Sequence, residues 1–221
     1  MKSFDKCFVT GCDQNTEWML PWFMKNYLKH NTTPIVFADF GVSDATRSWA
    51  YQIGGFAEMF QVDKQRTGGW FYKPQALRKT DGKYVCWLDT DIHILGDMSG
   101  IFDHFEPNKL AMVEDVGWTK RRGETWHNSG VVGIINKPNI LTKWEQQCKI
   151  NPSVGDQEVL HEMVRASPLT RMTNITSLPN IYNWMRLQIL DGNDNPNKLA
   201  MHWTGFKGKE QIRKIMYHEK K

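Results

Sequence analysis

Residues 83–95 read KYVCWLDTDIHIL, and they decide the fold. Val85, Cys86, Trp87 and Leu88 form an apolar run that stops abruptly at Asp89-Thr90-Asp91. Behind the Asp81-Gly82 turn, such a run reads as a buried strand of a parallel sheet, because both of its faces need covering. In an extended backbone Asp89 and Asp91 project to one side and Thr90 to the other. Two carboxylates at a strand tip repel one another unless a cation lies between them. An oxygen-rich pair suits Mn²⁺ or Mg²⁺, with open positions left for phosphate oxygens. A bare Asp-x-Asp is equally an acidic turn, so the surroundings must decide.

The chain before this stretch alternates strand and helix. Residues 6–12 (KCFVTGC) are a short apolar strand, and residues 13–30 read as a helix capped by Asp13 or Asn15, with Trp22, Phe23 and Tyr27 on its apolar stripe. Residues 35–40 (IVFADF) are a second strand, Ser43 or Asp44 caps a helix to about Ile53, and Gly54-Gly55 stops it. A weaker strand spans residues 57–62. This is the pattern of an α/β domain with a mainly parallel sheet flanked by helices. Ligands of such sheets lie beyond the carboxyl ends of the strands, which makes Thr10, Gly11, Cys12 and Asp39 candidates for holding a base and ribose, or else satisfied turn residues. Gly68-Gly69-Trp70 reads as a flexible loop. Lys73 then opens a helix with Pro74 in its first turn, where dipole and cation can share an anion.

Beyond the acidic pair come a short helix near residues 99–105 and a strand at 109–116 ending in Glu114-Asp115. Residues 117–127 (GWTKRRGETWH) have no period and read as a loop over the site. Asn128-Ser129-Gly130 opens a buried strand, with Gly130 allowing either a close backbone approach or a bulge. A helix follows from Pro138 to about Cys148, then a turn with Pro152 and Gly155, then a helix opened by Asp156-Gln157, where Asp156 fits an N-cap. Residues 178–184 are a loop rich in amides and aromatics. The last strand, residues 198–203 (KLAMHW), carries His202, and a basic helix runs from about Gly208 to the end.

The 221 residues fit one domain. Ten Trp suggest an aromatic core or aromatic-lined clefts, and the net charge of +4, gathered in residues 120–122 and 207–221, favours an anionic ligand. Nucleic acid, a sugar nucleotide or a membrane surface touched by the basic C-terminus would each satisfy it. No apolar stretch approaches the ~20 residues of a membrane span and no signal segment stands at the start, so a cytoplasmic protein with reduced thiols is expected. The sequons at Asn31 and Asn174 would then go unused.

In order along the chain, Leu88-Asp89-Thr90-Asp91, Asn128-Ser129-Gly130, Asp156-Gln157 and His202-Trp203-Thr204-Gly205-Phe206-Lys207 resemble the GT-A glycosyltransferases. The likeness is to family 8, which contains glycogenin and bacterial lipopolysaccharide galactosyltransferases, and it runs from Phe8 to Lys207. It implies that Asp89, Asp91 and His202 ligate a Mn²⁺ or Mg²⁺ on the donor diphosphate. It also implies that Lys207 and the Gly205 backbone contact that diphosphate, that Lys73 and Thr90 belong to the donor site, and that Asn128, Asp156 and Gln157 face the donor sugar. Residues 1–95 would then form a nucleotide-binding half and 96–221 the half for acceptor and donor sugar. The expected reaction moves a hexose from a nucleotide sugar, UDP-glucose or UDP-galactose, to an acceptor with retention. Two departures stand out: His127 precedes Asn128 where the family has an aromatic, and Gly208-Lys209 follows Lys207 where Pro-Trp is frequent. A nucleotidyltransferase using Asp89 and Asp91 would need a glycine-rich phosphate loop, for which Thr10-Gly11-Cys12 is a poor substitute. A non-catalytic glycan or nucleic-acid binder would explain Trp118, Trp126 and residues 120–122 but not the buried strand behind the acidic pair.

Overall fold

Strand β1 (Phe4–Cys12) takes an inner position in the sheet because its last six residues are all buried, so it needs neighbours on every side. The computed structural model describes residues 2–63, 69–151 and 154–219, apart from the side chain of Trp70. Gly68, read above as part of a loop, Pro152, read as part of a turn, and the last two lysines of the basic helix lie outside the described residues. Parallel to β1 run β2 (Ile35–Asp39), on whose outer side lies β3 (Glu58–Gln61), and β4 (Gly82–Leu88). The other side of β4 pairs antiparallel with β7 (His127–Ile135), which carries β6 (Leu110–Glu114) and then β8 (Ile175–Ser177). The resulting seven-stranded order is β3-β2-β1-β4-β7-β6-β8, mainly parallel with β7 as the reversed strand.

Helices cover both faces, and the apolar run in β4 shows why. Val85 and Trp87 point to one side, where they meet Ala76 and Leu77 of α3 (Lys73–Lys79), Leu141 and Trp144 of α5 (Asn139–Ile150) and Leu160 of α6 (Asp156–Val164). Cys86 and Leu88 point to the other, with Phe23 and Tyr27 of α1 (Leu20–His30) and with Ile101 and Phe102. Each fully buried side chain of this size contributes about 1.5–3 kcal/mol. Helix α2 (Asp44–Gln52) is capped by Ser43, whose hydroxyl accepts from Thr46 N. All four cysteines are buried and free, as the sequence led us to expect. No helix among the described residues is long and apolar enough to cross a membrane. Asn31 is buried, its amide bonded to Tyr27 O, Gly96 O and Met98 N, so its sequon is closed to modification.

Four expectations need correction. The helix of residues 13–30 begins only at Leu20, because Asp13 Oδ1 accepts from Asn15 N and Thr16 N in a local turn, and a short 3₁₀ turn (Glu17–Met19) comes first. Residues 117–127 are not wholly a loop: α4 (Val116–Arg122) forms there, capped by Asp115 accepting from Trp118 N and ended by Gly123 at φ 72°. The acidic pair is turned rather than extended, since Ile92 N donates to Asp89 O (3.2 Å) as the chain passes into β5 (Ile92–Ile94). Past Ser167, α7 (Pro168–Asn174) and β8 form where no element was expected, too short to carry a readable period.

A second small sheet completes the molecule. Strand β10 (Ala200–His202) pairs antiparallel with β5 and parallel with β9 (Trp184–Met185), which runs into α8 (Arg186–Leu190). His202 lies opposite Ile92, and Trp203 N donates to Asp91 O (3.1 Å), so this sheet carries the C-terminal region to the tip of β4. The last helix, α9 (Gly205–His218), starts from there.

Candidate active site

At the tip of β4, one oxygen each from Asp89 and Asp91 and one ring nitrogen of His202 lie within 4.8 Å of one another. His202 Nε2 is 3.2 Å from Asp91 Oδ1 and 3.8 Å from Asp89 Oδ2. Burial alone would neutralise Asp91, but the adjoining His202, with Lys209 and Lys73 beyond it, holds the carboxyl below its ordinary range. Burial likewise disfavours a charged imidazole, and Asp91 and Asp89 outweigh it to raise His202 above its ordinary value. Burial dominates at Asp89, with the Asp91 charge adding to it against Lys73, and its carboxyl is raised. Two carboxylates and an imidazole so placed make a donor set suited to Mn²⁺ or Mg²⁺, a cation that would relieve the crowding of negative charge.

Lys73 is built into this cluster rather than offered at a helix end. Its side chain is 2% exposed, and its Nζ stands 3.1 Å from Asp89 Oδ1, 3.1 Å from Asp156 Oδ2 and 2.8 Å from Ser129 O. Burial opposes its charge, yet Asp156 and Asp89 together raise its pKa above the usual lysine value. Trp87 Nε1 donates to Asp89 Oδ1 (2.6 Å), while Oδ2 faces His202 and accepts from Lys73 Nζ at the longer distance of 3.4 Å.

A connected set of amides supports the cluster from behind. Asn128 Nδ2 donates to Asp115 Oδ2 (3.2 Å) and Gln157 Oε1 (3.1 Å), and Gln157 Oε1 also accepts from Ser129 N (3.2 Å). Asn128 Oδ1 accepts from Gly130 N (2.9 Å) and from Asn183 Nδ2 (2.9 Å), and Asn183 Oδ1 is 3.0 Å from His202 Nδ1. Gly130 serves a close approach, but the approaching group is protein: a Cβ there would stand 2.1 Å from His202 Cε1. Gly130 also lies in a bulge: Met112 of β6 faces Val132 while Val113 faces Asn128, so Ser129, Gly130 and Val131 of β7 are the unmatched residues.

Two cavities meet at the acidic pair. One, of about 320 Å³, lies beyond β1 and is lined by Gly11, Cys12, Asp13, Thr90 and Lys209 over a floor of Phe40 and Trp87, whose rings stack at 5.8 Å. The other, of about 250 Å³, is lined by Lys73, Asn128, Asp156, Gln157, Trp118 and Gly205 among others. Asp89 and Asp91 line both. The structure therefore brings most of the residues singled out in the sequence to one place, with three exceptions. Thr10 is fully buried within β1 and lines neither cavity. Asp39 is 2% exposed, its carboxylate used by Gly41 N (2.6 Å), Val42 N (2.9 Å) and Arg47 Nε (2.8 Å), so it locks the turn after β2. Lys207 is exposed and away from both cavities, while Lys209, one further half-turn along α9, lines the first. The cause is Gly208, where a Cβ would stand 1.9 Å from Trp203 O, so the first turn of α9 is pressed against the strand end and Lys207 faces out.

Asn183 and Lys209 were missed by sequence reasoning. The amide-rich loop at 178–184 was a signal for Asn183, and the basic character of α9 was one for Lys209.

No family model matches the chain, and no curated protein matches it. Solved structures do. The galactosyltransferase LgtC, crystallised with donor and acceptor sugar analogues, superposes with a TM-score of 0.61 at 15% identity, over 90% of this chain and 87% of that one. The glycosyltransferase GlyE of Streptococcus pneumoniae TIGR4 gives 0.64 at 19% identity, over 92% of this chain and 55% of GlyE. WbbM, a bifunctional glycosyltransferase, gives 0.65 at 14% identity, over 93% of this chain and 46% of WbbM. The chain thus spans about half the length of the latter two. The shared feature is the fold, the GT-A architecture that the sequence motifs resemble.

Proposed function

We propose that this chain is a metal-dependent glycosyltransferase that moves a hexose from a nucleotide sugar, UDP-glucose or UDP-galactose, to an acceptor with retention. The observation that carries this reading is the position of Asp89 and Asp91 on the wall shared by two cavities, with His202 beside them on the second. A nucleoside diphosphate sugar has the same plan, with base and ribose at one end, hexose at the other and diphosphate between. The half of the chain before residue 95 then holds the nucleotide, over Gly11, Cys12 and Thr90, and the remainder holds the sugar.

Asp89 Oδ2, Asp91 and His202 Nε2 would hold Mn²⁺ or Mg²⁺, which supplies Lewis-acid stabilisation of the leaving diphosphate. The chain's own groups do the rest. The N-terminus of α9 opens on the second cavity through Thr204 and Gly205, where free backbone N–H groups suit phosphate oxygens. Lys209 adds a cation from the first cavity, in the role the resemblance gave to Lys207. Lys73 lies between Asp89 and Asp156 and fixes their spacing. Asn128, Gln157 and Asp156 line the sugar cavity as hydrogen-bonding partners for hexose hydroxyls.

Retention is supported by the engagement of several of the carboxylates near the sugar. Asp115 accepts from Trp118 N, Asn128 and Gln157; Asp156 is paired with Lys73, and Glu124 with His161. The proton of the acceptor hydroxyl then passes to an oxygen of the leaving diphosphate. The bond from the anomeric carbon to that phosphate breaks as the bond to the acceptor oxygen forms on the same face.

Release of UDP from UDP-hexose, with Mn²⁺ and with chelator, tests this reading. Asp91→Asn should lower Mn²⁺-dependent turnover by about 100-fold or more, and Lys209→Ala should weaken donor binding more than Lys207→Ala. Turnover that survives chelator, or wild-type turnover in Asp91→Asn, would contradict it.

A further inference from the structure

The amides behind His202 have only one consistent orientation, and its consequence reaches the ring nitrogen that faces the acidic pair. A backbone N–H can only donate. Gly130 N points at Asn128 at 2.9 Å, so the Asn128 atom it meets is the oxygen. The other end of that amide faces the Asp115 carboxylate at 3.2 Å and Gln157 Oε1 at 3.1 Å, both acceptors, and Gln157 Oε1 is itself fixed by Ser129 N at 3.2 Å. Asn128 Oδ1 therefore demands a donor from its remaining neighbour, which is Asn183 Nδ2 at 2.9 Å. Asn183 then has only its oxygen left, and that oxygen faces His202 Nδ1 at 3.0 Å. An oxygen there requires a proton on Nδ1. Asn183 is 0% exposed, so water cannot rewrite this order.

We infer that Asn183 is a positioning residue which, through Asn128, holds His202 with Nδ1 protonated and presents the Nε2 lone pair to a divalent cation shared with Asp89 and Asp91. The inference rests on the metal reading of those three residues, to which it adds the element that prepares the third ligand. Nε2 is the nitrogen that faces Asp91 at 3.2 Å, so the protonated nitrogen lies away from the cation and the lone pair toward it. Two backbone N–H groups of β7 thereby select the tautomer of a side chain 72 residues further along the chain, counting from Gly130 to His202. Gly130 contributes twice, because a Cβ at that position would also stand 2.5 Å from His202 Nδ1 and displace the ring. Hydrogen-bonding partners behind metal-bound histidines orient the ring and raise its basicity.

The experiment is Mn²⁺ titration of wild type and Asn183→Ala, with ¹⁵N spectra of the histidine rings in the Mg²⁺-loaded wild type. The variant should bind Mn²⁺ about 10–100-fold more weakly while its unfolding midpoint in chelator shows a folded protein. The spectra should show His202 with a protonated Nδ1 and an unprotonated Nε2. A folded variant that binds within about twofold of wild type, or a His202 ring with bare Nδ1, overturns the inference. Should Asn183→Ala fail to fold, the wild-type spectra alone decide. Wild-type protein that binds neither cation sinks the metal reading itself, and the relay with it, an outcome distinct from normal binding that ignores Asn183.

Discussion

Lys73→Met exposes how much of the molecule's stability is tied to the site. Methionine fills nearly the same space, so the substitution removes charge and hydrogen bonds with little change in packing. In wild type the ammonium, 2% exposed, sits 3.1 Å from Asp89 and 3.1 Å from Asp156 and bonds Ser129 O. Its removal leaves two neighbouring carboxylates without their shared counterion, and breaking a buried pair in this way costs about 3–5 kcal/mol. For a domain of this length each kcal/mol lowers the melting point by about 2–4 °C, so a fall of about 6–20 °C is expected. Urea unfolding in chelator at neutral pH measures it. The pH dependence has a definite sign: burial already raises the Asp89 carboxyl, and losing Lys73 raises it further. A carboxyl whose folded pKa is raised costs stability above that pKa and ceases to do so as pH falls through it. The deficit should therefore narrow toward acid pH, and Mn²⁺ should stabilise the variant more than wild type. A loss below about 1 kcal/mol, or a deficit that widens as pH falls, would refute the assignment of Lys73 as the counterion of the site.

Three further outcomes follow from the same geometry. Gly130→Ala should lower stability by about 1–3 kcal/mol and weaken Mn²⁺ binding, since the new methyl meets the His202 ring and Asn128 Oδ1; calorimetric titration giving unchanged affinity would show that the ring is not held there. Asp39→Asn should cost about 1–3 kcal/mol through the lost Arg47 pair while leaving nucleotide binding intact; the reverse result would return Asp39 to the ribose. His127 is held down to about 4, first by burial and then by Arg171 and His161. The unfolded chain takes up that proton first, so stability should fall as pH drops from about 6.5 toward 4, by up to about 3 kcal/mol. A His127→Phe protein should show a flatter profile, and superimposable profiles would contradict the buried neutral ring.

The strands were legible because burial on both faces leaves an apolar run that needs no period, as in residues 85–88. The acidic pair, Asn128, the Asp156-Gln157 helix start and His202 were legible because each sits where a regular element begins or ends. What could not be read was which side chains point inward. Lys73 looked like a helix-end cation and became a buried counterion, since only the three-dimensional pairing of α3, β4 and α6 brings Asp89 and Asp156 to it. Asp39 looked free at a strand end, but Arg47 folds back from the next helix to close it. Along α9, packing of Gly208 against Trp203 exchanged Lys207 for Lys209, a choice made by one backbone contact. In α4, the Asp115 cap and the Gly123 stop were present in the sequence, but seven mostly polar residues between them carried no apolar stripe to mark a helix.

The measurement that bears most directly on the whole account is the melting point of the purified protein against a panel of nucleotides and UDP-sugars, in Mn²⁺ and in chelator. A ligand held at 100 times its dissociation constant adds about 2.7 kcal/mol, which for this size corresponds to about 5–10 °C. The account predicts such a rise for UDP or a UDP-hexose in Mn²⁺, its loss in chelator, and its loss in Asp91→Asn. No rise with any nucleotide in Mn²⁺, or an equal rise with and without the metal, would contradict the site as assigned.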